Sequence, residues 1–149
     1  MSITYRGLQP QEFSAALQIR IEVFVEEQKV PLEEEHDMYD QAAQHFGVFR
    51  DERMVGTGRL ILMGNIGKIG RVAILREFRG RGLGCALIRT IMDTAKRQGV
   101  VEFILDAQIQ ALDFYQKLGF EAEGDLFLDG GIPHRTMRYR TINSVEVEQ

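Results

Sequence analysis

Two arginines and three glycines alternate in Arg79-Gly80-Arg81-Gly82-Leu83-Gly84-Cys85, where the apolar run Val72-Ala73-Ile74-Leu75 gives way to a long amphipathic stretch. The chemistry that suits this pattern is phosphate binding. Backbone N–H groups from Arg79 to Cys85 can converge on a pyrophosphate. Glycine lets the main chain approach without a Cβ clash, and a helix N-terminus adds a favourable partial charge. Arg79 and Arg81 can add charge-assisted hydrogen bonds. Two nucleotide motifs fit less well. A triphosphate loop ends in Gly-Lys followed by Ser or Thr, and no lysine follows Gly82 or Gly84. A dinucleotide fingerprint is partly matched by Gly80-x-Gly82-x-x-Cys85, with Glu102 near the expected acidic position. Context excludes it, because only one strand–helix–strand unit includes this turn and a second half-sheet has no room.

Hydrophobic spacing predicts the elements that hold the turn. Residues 3–6 alternate as a short strand. Pro10 can open a helix, and Phe13, Leu17, Ile21, Phe24 and Val25 fall on one face of it, ending by Pro31. Residues 30–40 are acidic and irregular, with room for one helical turn. Residues 45–50, 54–62 and 68–75 read as strands. Leu83, Leu87, Ile91 and Ala95, widened by Ile88 and Met92, give the next helix its buried stripe, and Gly99 stops it. Residues 100–107 read as a central strand covered on both faces. Ala111, Phe114, Tyr115 and Leu118 form another helix face, closed by Gly119. Residues 120–128 and 134–141 are two final antiparallel strands joined by residues 129–133, and residues 143–149 read as a frayed tail. The expected class is α/β (α+β): a single domain over residues 1–149, with a mixed sheet flanked by helices.

Composition narrows the function. The 149 residues are 44% hydrophobic and 27% charged, as in an ordinary globular chain, and the net charge of −4 argues against a general nucleic-acid binder. No apolar run is long enough to cross a bilayer, and the first residues do not form a signal segment. Cys85 is the only cysteine, which leaves no internal disulfide and no cysteine metal cage. These features predict a cytoplasmic protein with no membrane partner. Charge is unevenly spread. Residues 26–40 hold seven acidic residues and one lysine, whereas residues 68–97 hold eight basic and two acidic ones. Either these are solvated faces of opposite sign, or a basic cofactor site adjoins an acidic entrance for a cationic substrate.

Arg79-x-x-Gly82-x-Gly84, preceded by Val72-Ala73-Ile74 and followed by an amphipathic helix, resembles the acetyl-coenzyme A motif of the GNAT superfamily of N-acetyltransferases. Downstream, Ala111-Leu112-Asp113-Phe114-Tyr115-Gln116-Lys117-Leu118-Gly119-Phe120 resembles that family's second motif. The order of elements is similar to the family fold across nearly the whole chain. Val23-Phe24-Val25-Glu26-Glu27-Gln28 and Gly131-Ile132-Pro133-His134 further resemble a bacterial subgroup of mostly unassigned substrate. The resemblance implies a mostly antiparallel twisted sheet and acetyl-coenzyme A as cosubstrate. It also implies transfer of the acetyl group to a primary amine of a small molecule or peptide, by direct attack in a ternary complex. A homodimer is common in the family, although the sequence does not specify one. The rival reading is a non-catalytic module that senses coenzyme A.

The resemblance also implies roles for residues. Val72, Ala73 and Ile74 would lie along the pantetheine arm, and the following strand would splay away to make room for it. Arg79, Gly80, Arg81, Gly82, Leu83, Gly84 and Cys85 would hold the pyrophosphate. Tyr115 is the candidate general acid for the departing thiolate. Phe114 would wall the cofactor slot. Gln108 stands where many relatives have an asparagine that contacts the cofactor. The base has no single signature. Glu102, Asp106, Glu26, Glu33, Glu34 and Glu35 are available, Glu27 and His134 are the selected candidates, and a water chain could serve instead. No metal is expected, since His36, His45 and His134 lack ligand-like spacing. Cys85 at a helix N-terminus suggests an acetyl-cysteine route, but a small packing residue in the phosphate cradle is the expected role.

Overall fold

Strands with alternating inward apolar residues assemble into one sheet in the computed structural model, which describes residues 2–141. The strands are β1 (Ile3–Gly7), β2 (Gln44–Arg50), β3 (Arg53–Met63), β4 (Ile66–Ile74), β5 (Glu102–Gln108), β6 (Glu121–Asp129) and β7 (Ile132–Arg140). Their order is β1-β2-β3-β4-β5-β7-β6. Every neighbouring pair is antiparallel except β4 and β5, which run parallel. Gly130 and Gly131, with φ of 59° and 79°, form the two-residue turn between β6 and β7. The frayed tail expected at residues 143–149 lies outside the described residues.

Four α-helices accompany the sheet: α1 (Phe13–Arg20), α2 (Leu32–Glu35), α3 (Leu83–Arg97) and α4 (Leu112–Lys117). The expected stripe of α3 is fully buried at Leu83, Leu87, Ile88, Ile91, Met92 and Ala95. It approaches β3 closely at Gly58, where a Cβ would meet Ile91 Cδ1 at 2.9 Å. The next residue, Arg59, points to the other face and binds Asp40, which also holds Arg20 of α1. The middle of β3 is therefore covered on both faces. Among the described residues, no helix is long and apolar enough to cross a membrane.

Two local expectations need correction. The single helix expected up to Pro31 is a 3-10 turn at Pro10–Glu12, then α1, then a π-helical stretch at Ile21–Glu27. Its buried residues are Ala16, Ile19, Arg20 and Val23, whereas Phe13, Leu17, Ile21, Phe24 and Val25 are only half-buried. The stripe is displaced because it includes a charged residue, Arg20, whose partners lie in the following segment. In addition, β5 is not covered equally on both faces: Phe103, Leu105 and Ala107 are buried, while Glu102, Ile104, Asp106 and Gln108 are half-buried.

The feature that shapes the site is the divergence of β4 and β5. They pair only at Ile66↔Glu102, Gly67↔Phe103 and Lys68↔Ile104. Beyond Lys68, β4 stays with β3 and β5 stays with β7, so their facing edges separate. On the β3 side, β4 carries one extra residue between Gly70 and Ala73, and Arg71 there adopts a left-handed φ of 50°. Such a bulge bends the strand and redirects a side chain.

Candidate active site

The glycine turn contains two left-handed residues. Gly80 and Gly82 have φ of 76° and 77°, a region that favours glycine, and nothing lies within 4 Å of a Cβ built on either. Gly82 directly precedes α3, and no side chain caps it. The first bond of the helix runs from Ala86 N to Gly82 O (3.1 Å), so the N–H groups of Leu83, Gly84 and Cys85 have no acceptor one turn back. These are the groups that a pyrophosphate requires. A Cβ on Gly84 would lie 3.7 Å from Phe114 Cζ and 3.9 Å from Ile74 Cγ1. The turn, the end of β4 and α4 thus converge at one point, and the residues present fit the coenzyme.

The arginines of the turn are placed differently from expectation. Arg79 donates from Nε to Ile74 O (2.8 Å) and from Nη1 and Nη2 to the two oxygens of Glu27 (3.0 Å each). Arg81 lies over the Phe78 ring, 5.5 Å from its centroid. Both guanidinium groups thus have partners within the protein, while the N–H groups of Leu83, Gly84 and Cys85 are open. Cys85 is partly buried at the start of α3.

The gap between β4 and β5 opens into a cavity of about 350 Å³. Val72, Ala107, Gln108, Tyr115 and His134 contribute to its walls. Tyr115 stands edge-on to Phe114 and Phe120, with centroids at 5.0 and 6.0 Å. Burial pushes its phenol up to about 12, so it is protonated at neutral pH. His134 lies on β7, opposite Gln108 of β5 and Phe127 of β6, and stacks on the Phe127 ring at 5.9 Å. Its Nδ1 is 2.6 Å from Ile132 O. A carbonyl only accepts, so Nδ1 carries the hydrogen and Nε2 of the neutral ring keeps its lone pair. Gln108 donates from Nε2 to Gln28 Oε1 (2.7 Å), which links β5 to the end of the π-helical stretch.

Four of the seven acids of the segment, Glu27, Glu35, Asp37 and Asp40, are tied to arginines, while Glu26, Glu33 and Glu34 stay exposed. Arg20 is 1% exposed and donates to Glu35 Oε2, to Glu35 O (2.6 Å) and to both oxygens of Asp40 (2.8 and 3.1 Å). Arg59 donates to Asp37 Oδ1 (2.7 Å) and Asp40 Oδ1 (2.9 Å), and Arg71 donates to Asp37 Oδ2 (3.0 Å). Burial opposes the charge on Asp40, but hydrogen bonds from Arg20 and Arg59 outweigh it and hold the carboxyl at about 2. Burial dominates at Glu35 and raises its carboxyl above the ordinary range. Hydrogen bonds from Arg79 lower the Glu27 carboxyl.

Spacing had not singled out Arg59, Arg71, Lys68 or Gln28, all of which line the cavity. The available signal was Arg59 within the apolar strand Val55-Gly56-Thr57-Gly58-Arg59-Leu60-Ile61, where a charge implies buried partners. Among the described residues, no three His, Cys, Asp or Glu side chains come together to hold a metal ion.

Residues 6–141 match the family described as the acetyltransferase (GNAT) domain. YjcF of Bacillus subtilis, an uncharacterized N-acetyltransferase, is 38% identical over 128 residues, which cover 85% of this chain and 91% of YjcF. The crystal structure of an acyl-CoA N-acyltransferase from Pseudomonas aeruginosa superimposes with a TM-score of 0.82 at 33% identity, covering 93% of this chain and 98% of the other. The PaiA N-acetyltransferase of Thermoplasma acidophilum, solved in complex with coenzyme A, shares the fold. Its TM-score is 0.71 at 22% identity, covering 94% of this chain and 99% of that one.

Proposed function

The chain belongs to the GNAT family of N-acetyltransferases, and from that premise we propose that it moves an acetyl group from acetyl-coenzyme A to a primary amine by direct attack in a ternary complex. The observation that carries this reading is the placement of Tyr115 and His134 on the walls of one cavity beside the diverging strands. The coenzyme A bound to the T. acidophilum protein supports the choice of donor.

The open N–H groups of Leu83, Gly84 and Cys85 at the start of α3 would hold the pyrophosphate. The edge of Val72, Ala73 and Ile74 that turns away from β3, where Ile74 O already accepts from Arg79 Nε, would pair with the amides of the arm as an added strand. Phe114 walls the slot, and Gln108, tied to Gln28, borders it. The cosubstrate supplies a thioester carbonyl activated towards amines. A β4 backbone N–H stabilises the negative charge that develops on its oxygen. As the amine nitrogen bonds to the carbonyl carbon and the carbon–sulfur bond breaks, the Tyr115 hydroxyl gives its proton to the departing sulfur. His134 Nε2 takes the proton that the amine nitrogen loses, and solvent restores both groups.

We assign the base to His134 rather than Glu27, because a carboxylate held low by Arg79 is the weaker proton acceptor. A module that only sensed coenzyme A would need neither group at the cavity wall, and this favours transfer. The test is a screen of primary amines for release of coenzyme A, with N-acetylated product identified by mass spectrometry. Product in step with released coenzyme A is expected. Binding of acetyl-coenzyme A without turnover of any acceptor would instead support the sensor.

A further inference from the structure

Arg59 is only 6% exposed and lines the cavity. Only its Nη1 is engaged, by Asp37 and Asp40. Its Nε is the one buried side-chain nitrogen or oxygen without a hydrogen-bond partner among the described residues. Its Nη2 donates to no described residue. Nε and Nη2 form the edge of a guanidinium that grips both oxygens of a carboxylate or phosphate. A charged donor edge left unmatched in a buried position is costly unless something completes it.

Two further cations face the same cavity. Arg71 is turned by the β4 bulge onto Glu35 and Asp37 and donates from Nε and Nη2, but its Nη1 has no described acceptor. Lys68 Nζ lies 3.4 Å from Asp106 Oδ2. The carboxylates nearest these cations are already paired with them, while Glu34 and Asp129 also line the cavity. Arg20, Arg59 and Arg71 face Glu35, Asp37 and Asp40, three against three, and each carboxylate is already bonded.

Resting on the transferase reading above, we propose that the acceptor amine also carries an anionic group, a carboxylate or a phosphate, which docks on Arg59 and Arg71. The preferred acceptors are then zwitterionic rather than simply cationic, which narrows the expectation drawn from the acidic segment. With its anion held on the β3–β4 side, such an acceptor presents its amine towards Tyr115 and His134 on α4 and β7. The exposed carboxylate of Glu34 at the cavity adds attraction for the ammonium group.

The test uses matched acceptors with acetyl-coenzyme A: free amino acids against their amides, and phosphoethanolamine against ethanolamine. In the pair that matches the site, the anionic member is expected to have a kcat/KM about tenfold or more above its neutral partner, chiefly through KM. The first pair reports a carboxylate site and the second a phosphate site. Arg59→Lys keeps the charge but loses the fork, and the ratio should fall towards one. Arg71→Met is the second probe if Arg59→Lys unfolds, with folding followed by circular dichroism. Merely structural damage would slow both members alike and leave the ratio unchanged, which counts against the proposal. Neutral members turned over as well as anionic ones would overturn it while leaving the transferase reading intact. If no acceptor is acetylated, the transferase reading fails, and calorimetric titration of the same pairs into the coenzyme A complex decides the docking. Tighter binding of the anionic member supports it, and equal binding overturns it.

Discussion

Glu27 and Arg79 meet as a two-point ion pair, with Nη1–Oε2 and Nη2–Oε1 both at 3.0 Å, while Arg79 Nε is bound to the carbonyl of Ile74 at 2.8 Å. The pair ties the end of the π-helical stretch to the glycine turn before α3. Its two ends lie in the two halves of the proposed site, acceptor side and donor side.

This pair predicts the behaviour of Glu27→Gln. Releasing the guanidinium makes it available to phosphate, so the affinity for coenzyme A should hold or rise. Stability should fall by about 0.2–1 kcal/mol, as expected for a partly exposed pair. Arg79 holds the Glu27 carboxyl low, so its contribution is present above the ordinary carboxylate range and is lost as pH falls through the lowered value. The acid-side decline in melting temperature should therefore be shallower in Glu27→Gln. A tenfold loss of coenzyme A affinity by calorimetry would contradict this account of the pair.

The buried cluster predicts a second pH effect of mixed sign. Asp40 titrates at about 2 when folded against 3.8 unfolded, so it adds stability above pH 4 that disappears as pH falls towards 2. Glu35 is shifted upward, so its ionisation opposes folding at neutral pH and that penalty is relieved on acidification. Arg20→Met would leave two carboxylates without their principal partner and should cost about 3–5 kcal/mol. Glu35→Gln should cost much less, since the amide oxygen still accepts from Arg20. Urea unfolding of the two variants measures the difference, and equal losses would refute this description of the cluster.

At Gly82, φ is 77° and open space surrounds the missing Cβ, so Gly82→Ala should lose about 1–2 kcal/mol through backbone strain alone. A turn that relieves this strain moves the N–H groups of Leu83 and Gly84. Coenzyme A affinity should weaken with stability, and calorimetry on the folded variant would show it. Unchanged affinity would mean that the cradle does not depend on this conformation.

Much of this architecture was legible in the chain itself. The spacing of Leu83, Leu87, Ile91 and Ala95 set the face of α3, and all four residues are buried. The glycines of the turn were legible as places where the main chain can approach a ligand closely, whereas the left-handed φ of Gly80 and Gly82 emerged only with the fold. The separation of β4 from β5 followed from the family resemblance, not from spacing. Arg20 escaped notice because hydrophobic periodicity has no means to place a charge on the buried stripe. Its partners Glu35 and Asp40 looked like solvent-facing acids until long-range folding brought them together. The Glu27–Arg79 pair spans 52 residues of sequence, and no local pattern encodes such a contact.

The most direct test of the central claim compares wild type with Tyr115→Phe in single-turnover transfer from acetyl-coenzyme A to an accepted amine. With the phenol pushed up to about 12, the wild-type acid should remain protonated and active well above neutral pH. The variant should bind acetyl-coenzyme A with the same affinity and the same rise in melting temperature. Its transfer rate should fall about 10²-fold or more, the usual contribution of a positioned general acid. An unchanged transfer rate in a folded variant that binds acetyl-coenzyme A would contradict the account.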